Sequence, residues 1–211
     1  MPEQPAFRLR RATPADQAAA YAVCLQTGDS GQDGTADYPE DPEALGRIYV
    51  GPYIHLEPDL AFVLEDDLGV CGYVLAALDS ERFYQRYREE WLPAVQGRHP
   101  APAGDPAGWS PTQKLYYEYH HPDIYYPAAL RAYPSHLHID LVPRAQGRGQ
   151  GRQMMAWILG QLAARGSPGT HLAMSEANER AHRFYLKLGF QEVTRVGATL
   201  PRVIYLARSL P

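Results

Sequence analysis

The clearest alternation of apolar and polar positions along the chain is at residues 136–142 (HLHIDLV). Successive side chains of a β-strand point to opposite faces, so this period of two predicts a strand with one apolar and one polar face. A polar face that carries imidazoles and a carboxylate is a candidate site for proton transfer. Leu137, Ile139 and Leu141 form the apolar face, and His136, His138 and Asp140 form the polar face.

Other patterns predict the remaining strands and helices. Two apolar, β-rich runs at 60–65 and 70–78 are separated by the polar turn sequence DDLG, which predicts a hairpin. Thr13 followed by Pro14 predicts the start of a helix that ends near Leu25. Further helices are predicted at 42–49, 81–92, 154–166 and 178–187, and further strands at 7–11, 171–174, 190–196 and 202–207.

Residues 79–134 differ from the rest of the chain in composition and in hydrophobic pattern. We interpret them as an insertion in a single domain that spans residues 1–211. Two interpretations of the aromatic sequence LYYEYHHPDIYYP are open: it walls a substrate groove, or it gives the insertion a small core of its own. On the first interpretation, acidic residues Asp79, Glu81 and Glu118 attract a cationic acceptor. The cluster consists of Tyr116, Tyr117, Glu118, Tyr119, His120, His121, Tyr125, Tyr126 and Tyr133.

Composition narrows the classes of function. Hydrophobic residues make up 45% of the 211 positions, which is typical of a folded protein, and a formal net charge of -4 argues against a general nucleic-acid binder. No apolar run approaches the ~18 residues of a membrane span, and the N-terminus lacks the apolar core of a secretory signal. Two cysteines are too few for a disulfide framework or a four-cysteine zinc site. We therefore expect a cytoplasmic, metal-independent protein, monomeric or homodimeric, with no nucleic-acid or membrane partner.

A glycine-rich turn, residues 146–151 (QGRGQG), joins the strand at 136–142 to an apolar-periodic helix. Glycines let the backbone approach a ligand, and the first N–H groups of a helix attract an anion. The spacing is not that of a dinucleotide fingerprint, since Arg152 stands in place of the third glycine, and no Gly-Lys pair is present for a P-loop. The turn predicts a phosphate or pyrophosphate site, because three glycines in a plain loop would only cost backbone entropy. Arg144, Arg148 and Arg152 flank the turn.

Two motifs here resemble the signatures of the GNAT acyltransferase superfamily. The first is the strand, the pattern Gln-x-x-Gly-x-Gly and the helix, here LHIDLVPRAQGRGQGRQMMAWIL; the second is a helix that carries Asn178, Ala181, Phe184-Tyr185 and Gly189-Phe190. The stretch YPSHLHIDLVPRAQGRGQGR is similar to the acetyltransferase-like domain of O-GlcNAcase proteins and its free-standing bacterial relatives. The resemblance implies an α/β (α+β) fold with a mixed, mostly antiparallel sheet of about six to seven strands flanked by helices. That sheet should splay open near 136–142 and 171–174.

The resemblance also implies that acetyl-CoA is the acyl donor and that no metal takes part. The turn would grip the pyrophosphate, the strand before it would pair with the pantetheine arm, and an N–H near Leu141 would face the thioester oxygen. Asn178 would contact the CoA arm, although asparagine is equally suited to cap the helix. The residues predicted to bind acetyl-CoA are Leu141, Val142, Arg144, Gln146, Gly147, Arg148, Gly149, Gln150, Gly151, Arg152, Asn178 and Tyr185.

The proton-transfer groups are less fully determined. Tyr185 occupies the tyrosine position of the family and is the predicted acid for the CoA thiolate; the alternative is a tyrosine of the core. Asp140 and His138 are the candidate bases. Three alternatives stay open: a structural His/Asp ladder, a water chain without an essential base and, less favoured, a metal site.

The predicted function is direct transfer of acetyl from acetyl-CoA to a primary amine of a small molecule or peptide. Neither Cys24 nor Cys71 lies in a motif, which argues against a covalent enzyme intermediate. The first alternative is a catalytically weak or inactive module that binds acetyl-CoA or a peptide, as in the O-GlcNAcase-like resemblance. The second is an acyltransferase for a longer acyl group or an alcohol acceptor.

Overall fold

The sheet places the two splayed strands at its centre. The computed structural model describes residues 6–197 and 202–211. Its strands form one seven-stranded sheet in the order β1-β2-β3-β4-β5-β7-β6. All neighbours are antiparallel except β4 and β5, which confirms the mixed, mostly antiparallel sheet that the resemblance implies. The strands are β1 (Arg8–Arg11), β2 (Ala61–Asp66), β3 (Gly69–Ala77), β4 (Ser135–Leu141), β5 (Gly169–Ser175), β6 (Gln191–Val196) and β7 (Val203–Ser209).

The predicted helices lie where expected but differ in their bounds, and two further helices, Gly51–Leu56 and Pro111–His120, were not predicted. The first begins with a 3-10 turn at Pro14–Asp16, where Asp16 accepts from the Thr13 backbone N–H at 2.9 Å. The helix predicted at 42–49 starts only at Gly46 and is followed by a second one from Gly51. The α-helices are α1 (Gln17–Leu25), α2 (Gly46–Tyr49), α3 (Gly51–Leu56), α4 (Ser80–Arg86), α5 (Leu92–Gln96), α6 (Pro111–His120), α7 (Gln150–Ala164) and α8 (Glu179–Lys187).

The core lies on both faces of the sheet around β3 and β4, whose central residues are buried. Helix α7 packs on the face of Leu141, whose Cδ1 lies 3.6 Å from the Cβ position of Gly151. Helix α1 packs on the opposite face, where Cys24 lies beside Tyr73. No helix in the described part of the chain is long and apolar enough to cross a membrane.

Strands β4 and β5 separate soon after they meet. They pair at two positions, Ser135 with Thr170 and His136 with His171. On its other edge β4 stays paired with β3 over its whole length, up to Gly72 opposite Leu141. The second half of β4 therefore has one free backbone edge in the middle of the sheet, as the resemblance implies.

Candidate active site

The glycine-rich turn takes a backbone conformation that side chains other than glycine rarely adopt. After β4 the chain makes a 3-10 turn at Pro143–Ala145, and Gly149 caps α7. Gly147 and Gly149 have φ angles of +72° and +80°. No atom lies within 4 Å of a Cβ built on either residue, so the turn is open to a ligand. Glycine is required here for the backbone path and not by crowding.

The gap between β4 and β5 forms a cavity of about 620 Å³, which we call the splay cavity. The turn closes one end of it, α8 forms a wall, and the loop after α1 covers the other side. Its volume is in the range of small-ligand and cofactor sites. It is lined by Thr27, Gly31, Gln32, Ile139, Asp140, Leu141, Gln146, Gly147, Gly149, Gly151, Arg152, Asn178, Arg180, Ala181, Phe184, Tyr185, Lys187 and Leu188.

Backbone polar groups of β4 point into the splay cavity. The N–H of Val142 donates to the carbonyl of Cys71 at 3.0 Å and so faces β3. Hydrogen-bonding direction alternates along a strand, so the N–H groups of Leu141 and Ile139 face the gap. The carbonyl of Leu141 accepts from Gln146 Nε2 at 2.5 Å. Ile139 thus joins Leu141 as an available backbone partner, and the N–H of Val142 is already used.

Cationic side chains line the splay cavity: Arg152, Arg180 and Lys187. Asp140 is the one carboxylate among its lining residues, and it lies on β4, not on the turn. Arg180 holds the side-chain oxygen of Gln146 at 2.5 Å, so it fixes the first residue of the turn. Sequence reasoning missed Arg180, although its place two residues after Asn178 in the motif helix was a usable signal.

Four residues predicted to bind the ligand lie outside the lining of this cavity. Arg144 points away from it, because its Nε donates to Asp66 at 2.9 Å and ties the turn to the β2–β3 hairpin. The Arg148 guanidinium lies 6.0 Å from the centre of the Phe7 ring. Val142 is buried, and Gln150 begins α7 without lining the cavity. Of the three arginines expected to flank the anion, the structure brings only Arg152 to it.

Residues of the second motif occupy the cavity wall. The Oδ1 atom of Asn178 accepts from the Ala181 N–H at 2.9 Å, so Asn178 caps α8 and also lines the cavity. Tyr185 is 8% exposed, and its hydroxyl makes no hydrogen bond within the described residues. Burial raises the pKa of Tyr185 far above its usual range, with a smaller contribution from Asp140. Its phenol is therefore protonated, and its O–H is free to act as a donor.

The polar face of β4 holds three groups in three different states. His136 is fully satisfied: Nδ1 lies 2.7 Å from Ser80 Oγ and Nε2 lies 2.8 Å from the Tyr53 hydroxyl. Since Ser80 itself donates to the carbonyl of Pro134 at 2.6 Å, it accepts from Nδ1–H, and Tyr53 donates to Nε2. His136 is thus a structural histidine, as the ladder interpretation proposes.

His138 differs from His136, because no hydrogen bond engages its ring within the described residues. It lies between Tyr49 and Tyr53, with ring centres 5.9 and 5.3 Å away. Burial, with a smaller contribution from the nearby His171, lowers the pKa of His138 to about 4. The imidazole is therefore neutral at pH 7, with one nitrogen able to accept a proton.

Asp140 lies one strand repeat after His138 and accepts a hydrogen bond from the Tyr73 hydroxyl at 2.5 Å. Burial raises the pKa of Asp140 to about 6, although the bond from Tyr73 opposes this shift. His138 and Asp140 are neighbours on the same face of β4, yet they line different cavities: Asp140 lines the splay cavity, and His138 lines a second one.

This second cavity has a volume of about 490 Å³, and we call it the aromatic cavity. It lies between β4, β5, β6 and β7 on one side and the helices α2, α3, α4 and α6 on the other. Its charged lining residues are Glu118 on α6 and Asp123. Its aromatic walls are Tyr49, Tyr53, Phe83, Tyr84, Tyr87, Tyr125 and Tyr205, with His136, His138 and His171.

The aromatic residues of the 79–134 segment divide between the two interpretations. Tyr119 is fully buried and donates to the Ala44 carbonyl at 2.7 Å, and Tyr116 donates to Asp41 at 2.8 Å, so these two belong to a local core. Glu118 and Tyr125 line the aromatic cavity instead. Asp79 caps α4 and Glu81 is exposed near Arg131, and neither lines the cavity. Asp123 was missed, and its place between the aromatic residues was the available signal.

Two further placements bear on the chemistry. Among the described residues, no group of three or more His, Cys, Asp or Glu side chains is arranged to hold a metal ion. Both cysteines are buried, and burial raises the pKa of Cys24 to about 12 and that of Cys71 to about 11. Neither thiol is therefore ionised at neutral pH, and neither lines a cavity described above.

The chain is similar to known proteins both in sequence and in fold. A family model described as acetyltransferase (GNAT) domain matches residues 121–192. Over 99% of its length the chain is 30% identical to Protein O-GlcNAcase of Rattus norvegicus, and equally to that of Mus musculus. The chain spans only 23% of the length of these curated relatives.

Solved structures extend the likeness over the whole fold. The crystal structure of SsHAT is 42% identical and has a TM-score of 0.86, with 97% of this chain and 98% of SsHAT covered. A GNAT superfamily phosphinothricin acetyltransferase from Sinorhizobium meliloti, solved in complex with acetyl-CoA, is 17% identical with a TM-score of 0.56. That match covers 99% of this chain and 89% of that protein, and it shows a shared fold. With motifs, splayed sheet and relatives in agreement, the chain belongs to the GNAT family of acetyltransferases.

Proposed function

We propose that the chain is an acetyl-CoA-dependent N-acetyltransferase that transfers acetyl directly to a primary amine of a small molecule or peptide. One observation carries the proposal: a cation-lined cavity with the protonated Tyr185 and an aromatic cavity with the neutral His138 are lined by consecutive residues of β4. The first suits an anionic donor, and the second suits an acceptor that must lose a proton.

The splay cavity fits acetyl-CoA in charge and in backbone groups. Three cationic side chains and the open turn suit the phosphates, since helix N-termini and charge-assisted hydrogen bonds both favour anions. The free edge of β4 at Ile139 and Leu141 offers hydrogen bonds to the amide-containing pantetheine arm. We assign Gln146, Gly147, Gly149, Gly151, Arg152 and Arg180 to the phosphates, and Asn178 to the arm.

Acetyl-CoA supplies an acyl group activated as a thioester. The N–H of Leu141 faces the gap and donates to the acyl oxygen as negative charge develops there. The amine nitrogen forms the new C–N bond as the C–S bond breaks, and the Tyr185 hydroxyl gives its proton to the departing sulfur. The proton that leaves the nitrogen as the amide forms passes through water to the Tyr185 oxygen and restores the phenol. Tyr185 thereby acts on the sulfur and His138 on the amine.

An alkylamine has a pKa near ~10.4 and arrives as an ammonium ion, so it must lose a proton before it reacts. We assign the neutral, unengaged His138 to accept a hydrogen bond from the amine and to pass the proton on through water, since a pKa of about 4 makes this ring too weak a base to hold the proton. Asp140, with a pKa of about 6, is the stronger base on this face of β4, and it also holds Tyr73. The two protonated thiols support direct transfer, since a covalent intermediate would need a thiolate.

The test is a calorimetric titration of the purified protein with acetyl-CoA, with NADH as the control ligand. We expect one-site binding to acetyl-CoA alone, followed by release of CoA thiol when a primary amine is added. Absence of binding by a folded sample would overturn the proposal. Binding without thiol release across a panel of amines and acyl-CoAs would favour the binding module, which the 30% identity to part of O-GlcNAcase keeps as the second candidate.

A further inference from the structure

Glu118 is a half-buried carboxylate without a counter-ion among the residues that the structure describes. It lies on α6 and lines the aromatic cavity. Within these residues its carboxylate accepts no hydrogen bond and joins no ion pair. Two other sheltered carboxylates do have a cationic partner: Asp16 pairs with Arg10 at 2.6 Å, and Asp66 pairs with Arg144 at 2.9 Å.

The lack of a partner has a cost in stability. Removing a charged group from water without compensation is unfavourable, and the group responds by shifting its pKa. Burial raises the pKa of Glu118, and the neighbouring carboxylate of Asp123 raises it further. A second acidic group beside an uncompensated one increases the cost. A cation in the cavity would compensate these charges.

No described residue that lines the aromatic cavity supplies this cation. Its described lining residues include no lysine or arginine. Its three histidines are neutral at pH 7, because burial lowers the pKa of each of them. The cavity therefore carries net negative charge, whereas the splay cavity beside it carries net positive charge.

The tyrosine walls of the aromatic cavity suit the rest of an organic cation, which is its apolar stem. Tyrosine faces attract cations, and the effect is largest where water is excluded. Tyr49 connects the anion to the candidate base: its ring lies 5.9 Å from that of His138, and the charge of Glu118 adds to the burial that raises the pKa of Tyr49. Tyr125 and Tyr205 contact each other at the outer wall, with ring centres 5.1 Å apart.

Building on the proposed function, we propose that the aromatic cavity binds the acceptor as a primary ammonium ion on an apolar stem, with Glu118 as its counter-ion. Glu118 is then the residue that determines specificity for cationic over neutral and anionic acceptors. The ammonium group is held by Glu118 on entry and gives up its proton near His138 before transfer. A small alkylamine and a lysine side chain share this chemistry.

Two ligands with the same apolar stem, one with a charged and one with a neutral head group, test the proposal. Hexylamine and hexan-1-ol have the same apolar stem, and binding of each is measured by calorimetry at pH 7 without acetyl-CoA. We expect hexylamine to bind at least about tenfold more tightly, and Glu118→Gln to remove that preference. Glu118→Asp should restore part of it. The matched control is Glu89→Gln, which removes the same charge from an exposed position outside both cavities.

A second measurement separates recognition from folding. Because the Glu118 charge is uncompensated, Glu118→Gln should keep the fold and raise the Tm, whereas a carboxylate that serves the structure would lower it when removed. With acetyl-CoA and hexylamine, or with a lysine-containing peptide, the variant should raise KM at least about tenfold and change kcat little. The better acceptor of the two identifies the source of the amine.

The outcomes distinguish this inference from the proposed function. Charge-selective binding that depends on Glu118, without any acetyl transfer, would support the inference and overturn the proposed function. Acetyl transfer with an unchanged KM in Glu118→Gln, or equal binding of the amine and the alcohol, would overturn the inference and leave the proposed function standing. A lower Tm together with weaker binding in Glu118→Gln, without recovery in Glu118→Asp, would also overturn it.

Discussion

The splay cavity and the aromatic cavity border the same strand and differ in almost every physical property. The splay cavity is lined by three cationic side chains and exposed backbone groups, and its glycines keep the ligand close to the main chain. The aromatic cavity is lined by tyrosines, neutral imidazoles and two carboxylates. Two positions on β4, His138 and Asp140, separate one environment from the other.

The difference supports the proposal that one strand holds two reactants of opposite charge. Backbone recognition depends on chain path, so it tolerates little change at the turn. Side-chain recognition depends on a few separate residues, and each can change without moving the strand. We therefore expect substitutions at the turn to affect donor affinity alone and substitutions near Glu118 to affect acceptor selection alone.

The largest effect is expected from Tyr185→Phe, which removes one oxygen from the splay cavity. We expect kcat to fall by about 10²–10³-fold, because the departing sulfur loses its acid, while the Kd for acetyl-CoA changes less than about threefold. Stopped-flow detection of the CoA thiol and calorimetry measure the two quantities.

The control is Tyr21→Phe, since Tyr21 is also buried with an unpartnered hydroxyl but lines neither cavity. Equal losses of kcat in both variants would mean that Tyr185 serves the core and not the reaction.

A branched side chain at the turn should abolish most donor binding. In Gly149→Val we expect the Kd for acetyl-CoA to rise about a hundredfold, because valine disfavours a positive φ and its side chain would occupy the open space at the turn. Binding of hexylamine should not change, and calorimetry with each ligand measures this.

Gly166→Val is the matched control at the other end of α7. Gly166 has φ +83°, nothing lies within 4 Å of its Cβ position, and it is outside both cavities. Both variants carry the same backbone strain, so a Kd difference between them reports the turn itself. Equal Kd values would contradict the role of the turn.

Asp140→Asn should raise stability at the boundary of the two cavities. The folded pKa of about 6 lies above the ordinary value of 3.8, so the ionised form costs stability above pH 6, and the cost fades as the pH falls toward 4. We expect the free energy of unfolding to rise by about 2 kcal/mol at pH 7.5, with no gain at pH 4. Urea unfolding at both pH values measures the change.

Asp67→Asn, in the exposed hairpin turn, is the control and should stay within about 0.5 kcal/mol of the parent protein. If Asp140→Asn destabilised the protein at pH 7.5, the ionised carboxylate would have to be part of the support of Tyr73.

The smallest expected effect is the difference in acetyl-CoA affinity between variants of two arginines near the turn. Arg152→Gln should weaken acetyl-CoA binding about tenfold and reduce its salt dependence, because one charge-assisted contact is lost. Arg144→Gln should leave the Kd within about twofold. It should instead lower the free energy of unfolding by about 1 kcal/mol, because the sheltered Asp66 loses its partner. The reverse order of Kd effects would show that Arg144 leaves Asp66 when the donor binds.

Local sequence signals predicted the parts of the site that depend on backbone. The alternation at 136–142, the glycines of the turn and the motif helix with Asn178 and Tyr185 all lie where expected, and the hairpin at DDLG is confirmed. These features are set by residues within a few positions of one another, so a single sequence contains them.

Features that depend on distant partners could not be predicted. Arg144 lies beside the turn in sequence, but its partner Asp66 is 78 positions away. The roles of His136 and His138 looked equal from their shared face; only Ser80 and Tyr53, contributed by two helices, separate them. The division of the aromatic segment into a core part and a cavity part likewise depends on Ala44 and Asp41.

The pairing of β4 with β5 is short, and it affects how much of the protein stays folded in a cell. Two residue pairs join the half-sheet β1–β4 to the half-sheet of β5, β7 and β6. In the proposed complex, acetyl-CoA bound along the free edge of β4 would hold the two half-sheets together. Ligand at a hundred times its Kd adds about 2.7 kcal/mol to folding stability. Proteolysis consumes the opened chain fastest, so the steady-state abundance of this protein should follow the supply of its own acyl donor.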